Sequence, residues 1–533
     1  MRSESGPGDD WSEGMEKRSV LEIIAQGAWD GGTYVDNSLY ENRGMFFKGG
    51  VPVSDDTIQS RVGVRTRVAA PKDERIGRTS FEDLLENSGL DTSRVKVVIG
   101  ATNVGDDKRD RGPQIRHSVD LINRHCPDAT VFDLYAGCPG FNVSVELLLA
   151  MSLSGRLGPN DLSVIVGAEN IHRAQAFTAL DTANIIFGDD SMATALETTA
   201  ASEPPAECGE EERRGLRLSG DVVSGIAGAV AETVGNDHVD GIIIDNQLGN
   251  LQLRVPASAA RVQHRLVELF HPQEERAGVF GRFKDAIEFY DQHVNSFAYD
   301  IMSLECTPEV VWNAARAHVE SGRQKCVVSV FVAPDQSFEF AVHRGPGRSV
   351  RAPDEGVVDA MTRTHGCFAH YIQAIVEDEE LFGEIDGKGV FLYATRGVVQ
   401  HLAELFSRIG VTIFDIDLMI EHQANFAMIP TTVEQILAGK AEDVKAAAAD
   451  FVADKMVTNI HRRGNCSVVC MQRLPYDLER GALEPDTVQG YDVNRDLATM
   501  TKARTVLYDS VGAGMTRSSF LVRHGSDDPE TGS

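Results

Sequence analysis

The sequence lacks any apolar run approaching the roughly 20 residues that a membrane-spanning helix needs. Its opening residues, MRSESGPGDDWSEG, carry no hydrophobic stretch of the kind a secretory signal requires, so residues 1–17 read as a flexible leader. Basic residues are the minority: 51 Lys and Arg against 80 Asp and Glu give a net charge of −29. Such a surface repels polyanions, which argues against nucleic acid or an anionic membrane as a partner. The eight cysteines form no CxxC pair, and Cys466 and Cys470 have no histidine spaced to complete a zinc site. Scattered cysteines fit a reduced cytoplasmic protein better than a disulfide scaffold. No metal or cofactor is expected. What remains is ordinary globular material, 42% hydrophobic, in a chain too long for one small core.

Residues 18–200 alternate strand-like and helix-like segments, the pattern of an α/β domain. RSVLEIIAQ (18–26), VKVVIGAT (95–102), VFDLY (131–135) and DLSVIVGAE (161–169) read as strands. Asp55–Arg61 and Thr79–Asn87 read as helices, and FGDDSMATALE (187–197) as a turn followed by a strand. A charged loop, DDKRDR (106–111), and a helix from Pro113 to Arg124 lie between them. Residues 201–388 behave differently. A Pro- and Glu-rich loop opens this stretch, and GIIID (241–245), CVVSVFV (326–332) and FEFAVHR (338–344) read as strands. PEVVWNAARAHVESG (308–322) has apolar residues at helical spacing, and Asn295–Met302 and Val357–Ile375 also read as helical. No repeat and no chemical motif is visible there. The alternation resumes over 389–524, and 525–533 reads as a disordered tail.

Three positions at strand ends or small-residue turns offer chemistry. In VFDLYAGCPGF (131–141), Cys138 stands where a strand gives way to an apolar helix. A thiol there faces unpaired N–H groups that favour thiolate. FDIDLMIEHQAN (414–425) brings His422 to a strand end, and RRGNCSVV (462–469) brings Asn465 into a second small-residue turn. Singly each is ordinary, since a cysteine after glycine is most often a small buried residue. Together, a cysteine nucleophile, a histidine and a carboxamide form an acyl-transfer set, with N–H groups of a Gly turn as further oxyanion donors.

With RVGVRTR (61–67), IIFGDDSMATAL (185–196) and the closing VLYDSVGAGMTRSSFLVR (506–523), these segments resemble the β-ketoacyl-acyl-carrier-protein synthase III group of the thiolase superfamily. The resemblance covers 18–200 and 389–524 in the family's order. It implies an α/β thiolase fold, two similar βαβαβ halves in five layers with an α+β insertion over 201–388 between them, as a homodimer. It implies that Cys138 carries an acyl group taken from a CoA or carrier-protein thioester. His422 and Asn465 would stabilise the enolate formed when a malonyl thioester loses CO2, and the carbanion would attack the acyl-cysteine to give a β-ketoacyl product. Backbone N–H groups of Cys138 and Ala513 would form the oxyanion hole, within the turn of Gly512 and Gly514. Arg61 and Asn425 would lie on the substrate or CoA path. No cofactor or metal is implied.

The departures from the family concern delivery. Thr57 stands where a tryptophan typically stacks on the CoA adenine, and Ala427 replaces an arginine beside the entrance. Glu434 and Gln435 occupy a helix that is usually basic and docks the acidic carrier. DDKRDR replaces an apolar loop that reaches the partner subunit's acyl pocket. Chemistry needing a glutamate base, as in hydroxymethylglutaryl-CoA synthases, ranks lower, because the loop after ATN (101–103) offers Asp106 and Asp107 but no Glu. Two other readings stay open. One is transfer of the acyl group from Cys138 to a hydroxyl or amine of a specialised metabolite. The other is a non-catalytic partner subunit of a synthase pair, against which retention of Cys138, His422 and Asn465 speaks.

Overall fold

The computed structural model describes residues 19–41, 43–47, 49–104, 124–174, 185–199, 212–217, 221–235, 237–248, 257–271, 282–347, 352–377 and 380–525. The leader, the DDKRDR loop, the helix expected over 113–124 (except its last residue) and the tail beyond Gly525 lie outside the described residues.

The first part of the chain forms β1 (Leu21–Ala28), α1 (Asp55–Val62), α2 (Ile76–Ser88), β2 (Val95–Ala101), β3 (Thr130–Tyr135), α3 (Gly140–Leu153), β4 (Leu162–Glu169) and β5 (Asp190–Thr198). Its strands stand in the order β1-β5-β4-β2-β3. β2 is parallel to β3 and β4, and β5 is antiparallel to β4 and β1. The sheet does not stop at β3. The next stretch forms β6 (Glu212–Arg217), α4 (Val222–Val234), β7 (Gly241–Asn246), α5 (Ser258–Phe270), α6 (Phe283–Phe289), β8 (Phe297–Ser303), α7 (Glu309–Glu320), β9 (Cys326–Val332) and β10 (Ser337–Arg344). β8 pairs antiparallel with β3, and β7, β9, β10 and β6 follow outward, so the sheet has ten strands. Much of 201–388 therefore extends the first sheet instead of standing apart from it.

The last part forms β11 (Gly356–Thr364), α8 (Gly387–Arg396), α9 (Val398–Ile409), β12 (Leu418–Glu421), α10 (Met428–Leu437), α11 (Val444–Lys455), α12 (Cys470–Glu479), β13 (Thr505–Gly512) and β14 (Thr516–Arg523). Its sheet runs β11-β14-β13-β12. β14 is antiparallel to β11 and β13, β12 is parallel to β13, and a parallel bridge from Met419 to Met456 marks the place of a fifth strand. This is the β1-β5-β4-β2-β3 arrangement again, in order and direction. The first and last parts are duplicates in topology, and the architecture is the thiolase fold.

The layers follow from one helix. α3, GFNVSVELLLAMSL, is mainly apolar, its polar Asn142, Ser144, Glu146 and Ser152 are buried with it, and only Met151 escapes burial. A helix with so little polar surface belongs inside. It packs on β2 and β4 of one sheet and on β11 and β14 of the other. α12 touches α3, β5 and β12 and shares this central layer. α2 covers the outer face of the first sheet against β1, β4 and β5, and α9 lies on β11 and β14 of the second. The result is helix, sheet, helix, sheet, helix. No helix among the described residues is long and apolar enough to cross a membrane.

Two segments read as helical are strands. Asn295–Met302 contributes β8, and Val357–Ile375 contributes β11, a short 3-10 turn and the start of a hairpin. All residues of β8, and all but Arg363 of β11, are buried. A strand covered on both faces shows a continuous apolar run, which periodicity cannot separate from a buried helix.

The central layer is fastened by charge. Arg473 of α12 donates to both oxygens of Asp190 at 3.0 and 3.1 Å and to the Trp29 carbonyl at 2.7 Å. Arg463 donates to the same carboxylate at 3.0 Å. Burial alone would raise the Asp190 carboxyl, but the two guanidinium groups outweigh it and hold it below its ordinary value. Arg473→Met should cost about 3–5 kcal/mol of unfolding free energy, because it leaves a buried carboxylate short of a partner. Denaturant unfolding reads this as a lowered midpoint at unchanged slope.

Candidate active site

Cys138 lies between the end of β3 and the start of α3. The chain turns there through Gly137, at φ +69°, a left-handed conformation that glycine adopts without strain. Space makes the same demand. A Cβ on Gly137 would lie 2.4 Å from the Ala513 nitrogen, and one on Gly512 would lie 2.4 Å from the Cys138 nitrogen. The Cys138 turn and the Gly512–Ala513–Gly514 turn thus press main chain to main chain. Gly514, at φ +82°, completes the second turn.

Ser467 joins the remaining parts. Its hydroxyl lies 3.5 Å from the Cys138 sulfur, and its N–H donates to the Asn465 Oδ1 at 2.8 Å. That bond turns the Asn465 amide so that its Nδ2 has no partner among the described residues. Asn465 itself is fixed by main-chain bonds: its N–H donates to the Ile186 carbonyl at 2.7 Å, and its carbonyl accepts from Gly188 at 3.0 Å. His422 follows β12 and donates its N–H to the Asp509 carbonyl at 2.9 Å. Its ring is buried, which lowers its pKa to about 4, although a backbone hydrogen bond with Ser467 acts the other way. The ring is neutral at pH 7. Its Nδ1 lies 3.1 Å from the Cys470 sulfur. Burial keeps the Cys470 thiol protonated, so it can serve as the donor to Nδ1, the tautomer that leaves the ring proton on Nε2.

Burial works against the thiolate expected at Cys138: it pushes the thiol up to about 12. The Ser467 hydrogen bond lowers it and the nearby Glu169 charge raises it further, but loss of hydration dominates.

The sequence therefore brings Cys138, His422, Asn465, Ala513, Gly512 and Gly514 to one place. Arg61 and Asn425 stand where the end of α1 meets the start of α10. Arg61 is exposed and lies over the Phe47 ring at 4.9 Å. Asn425 accepts from the Ala427 N–H at 2.9 Å and donates to the Arg61 carbonyl at 3.3 Å, which ties the end of α1 to the start of α10. Thr57 forms a capping box with Ser54 at the start of α1. Gln423, between His422 and Asn425, donates to Val457 and accepts from the N–H groups of Asn459 and Ile460, so it anchors the segment that leads to Asn465.

The chain is 28% identical to a β-ketoacyl-[acyl-carrier-protein] synthase III of Synechococcus sp. (strain RCC307) over 188 residues, 35% of this chain and 52% of that protein. It is 29% identical to the protein of the same name from Paracoccus denitrificans (strain Pd 1222) over 183 residues, 33% and 53% of the two chains. It spans about half the length of these curated relatives. The crystal structure of 3-oxoacyl-[acyl-carrier-protein] synthase III from Aquifex aeolicus VF5 aligns with a TM-score of 0.50 and 13% identity, over 95% of this chain and 100% of that one, a likeness of fold. No protein-family model matches. Over about a third of its length the chain is thus similar to β-ketoacyl-[acyl-carrier-protein] synthase III proteins, and its fold is theirs.

Within this site, four side chains carry contacts that the sequence does not reveal: Ser467, Asn103, Glu169 and Cys470. Glu169 ends β4 and accepts from the Asn103 N–H at 3.0 Å, the Asn103 side chain at 2.7 Å and the Val104 N–H at 3.0 Å. Asn103 also donates to Ser467 at 3.1 Å. Burial raises the Glu169 carboxyl to about 7 against these hydrogen bonds and the pull of the nearby Ser467 hydroxyl. The acid near the nucleophile thus comes from the GAE strand end. Asp106 and Asp107, where an acid was sought, lie outside the described residues.

Gly137→Ala should separate the two turns and strain the left-handed backbone, at a cost of about 1–3 kcal/mol with loss of function at the site. Thermal unfolding and a turnover assay together check this. An active Gly137→Ala variant of wild-type stability would contradict the close approach.

Proposed function

We propose that the chain is an acyltransferase that forms an acyl-cysteine at Cys138 and condenses it with a malonyl-type thioester. The observation that carries this reading is the convergence on Ser467: its side chain meets the Cys138 sulfur, and its main chain holds Asn465 and His422. A neutral thiol needs a base as the reaction begins. The Ser467 hydroxyl donates to the sulfur, and Asn103 bridges that hydroxyl to the Glu169 carboxylate, whose pKa near 7 suits that task. When the Ser467 hydroxyl turns its proton from the sulfur to Glu169, it can take the S–H proton as it gives its own to the carboxylate. The thiolate attacks the acyl thioester carbonyl, and the oxyanion accepts from the N–H groups of Cys138 and Ala513. The carbonyl re-forms, the old C–S bond breaks, and the leaving thiolate takes up a proton.

The second thioester then loses CO2. The electron pair of the broken C–C bond becomes an enolate, whose oxygen accepts from the Nε2–H of His422 and the Nδ2–H of Asn465. Both donors are neutral and fixed, so charge develops against standing dipoles instead of reorganising water. The enolate carbon attacks the acyl carbon, and Cys138 leaves as thiolate.

A second reading keeps acyl-Cys138 but passes the group to a hydroxyl or amine. It gains support from Thr57, which caps α1 where an adenine-stacking ring would be needed for the usual CoA starter. Carbon dioxide release decides between the two. Under condensation, His422→Ala and Asn465→Ala should each cut release from a malonyl thioester roughly 100-fold or more while Cys138 still takes up acyl groups. Acyl uptake without any CO2 release would favour the second reading. The pH profiles should also part. Acylation should fall as pH drops through about 7 with protonation of Glu169, whereas His422 stays neutral down to about pH 4, so decarboxylation by pre-acylated protein should persist well below neutrality. A Glu169→Gln variant with an unchanged acylation profile would contradict the relay.

A further inference from the structure

The five strands of 212–344 obey the same rule as the other two units. Taken from β6 to β10 as first to fifth, the first is antiparallel to the fifth, the fifth antiparallel to the fourth, and the second parallel to both fourth and third. β1 to β5 and the last sheet show this order and direction. Helices recur as well, with α7 following β8 as α3 follows β3. At the third strand a trace survives in sequence. Phe132-Asp133-Leu134-Tyr135 matches Tyr299-Asp300-Ile301-Met302, and each run leads through a cysteine-containing turn, at Cys138 or Cys306, into its helix.

The junction between these units has its own symmetry. Asp133 pairs with Met302, Leu134 with Ile301, and Tyr135 with Asp300. With Asp133 matched to Asp300 and Tyr135 to Met302, each residue faces the counterpart of its own partner's match, and Leu134 meets its own equivalent. This is the register of a twofold, isologous interface, here between two parts of one chain. The helices that follow the paired strands also meet, and Arg156 donates to Glu320 of α7 at 2.8 Å.

Among its described residues the middle unit repeats none of the site's turns. Leu304 and Glu305 stand where the first unit has Gly137, so the close main-chain approach that Gly137 allows has no glycine there. HQAN, RRGN and VGAG each occur once. It does, however, reach the existing site. Phe283, Ala286 and Ile287 of α6 pack with Phe368, Val511 and Met515. Asp291 lies 3.1 Å from His365 Nε2, His365 Nδ1 lies 2.7 Å from the Tyr393 hydroxyl, and that hydroxyl donates to the Met515 carbonyl at 2.5 Å. Met515 follows the Gly512–Gly514 turn.

We propose that 212–344 is a third copy of the half-unit that takes the place of a second subunit. It covers the β3 edge from within and buttresses the oxyanion turn, so that one chain is a complete assembly with one site. The homodimer implied by the family resemblance is then replaced by an internal pair. The partner claim stands on topology, and only the claim about the turn rests on the proposed function.

Native mass spectrometry and light scattering on the full chain, with and without an acyl thioester, test both parts. The expected result is the mass of one chain at every dilution, with slow amide exchange at 132–135 and 300–303. A stable dimer would overturn the inference, even if it bore acyl groups. A single chain that takes up no acyl group would support the internal partner and count against the proposed function instead. For the turn, Asp291→Asn should lower kcat roughly 10- to 100-fold at unchanged KM and unchanged mass. Full kcat in that variant would overturn the buttress.

Discussion

The main chain at Gly137 and at Gly512 runs closer than any side chain would permit, and this contact sets the rest of the site. One turn belongs to the first half of the fold and carries the cysteine. The other belongs to the last half and joins β13 to β14. Their approach requires that α3 be buried between two sheets, which in turn requires a mainly apolar helix whose few polar side chains find partners inside. Shifting either sheet would part the two turns. The buried Asp190, held by Arg463 and Arg473, ties the Asn465 segment and α12 to the first sheet, so the same packing that stabilises the fold places the carboxamide.

Burial is the second constraint, and it acts against the simplest view of the nucleophile. A helix N-terminus favours thiolate, but a sulfur inside the central layer loses its hydration, and that loss is the larger effect. The same loss of hydration keeps His422 neutral and raises Glu169 to about 7. One environment thus yields a neutral nucleophile, a neutral donor and a carboxylate fit to act as base. Their pKa values are pushed in directions that divide the labour, which is a frequent property of functional sites.

Much of this was legible in the residues. The strands of the first half, the cysteine turn, HQAN, RRGN and the closing glycine turn carry patterns that depend on backbone conformation or on local chemistry, and sequence records both. Other parts were hidden for physical reasons. β8 and β11 are covered on both faces, so their apolar runs show no period-2 alternation. Glu169 and Ser467 belong to segments far apart in sequence, and each looks like an ordinary strand-end acid or turn serine until folding brings them together. The repeats are hidden because topology is conserved by packing and hydrogen-bond direction, which many sequences satisfy. Only FDLY and YDIM, on the paired third strands, keep a visible likeness.

The account depends most on Cys138 as the acyl carrier. Intact-mass measurement after incubation with a panel of acyl thioesters, followed by peptide mapping, tests it most directly. The prediction is one acyl group per chain, on the peptide that holds Cys138, and none in Cys138→Ala. No adduct, or an adduct that survives in Cys138→Ala by residing on another cysteine such as the exposed Cys306, would contradict it.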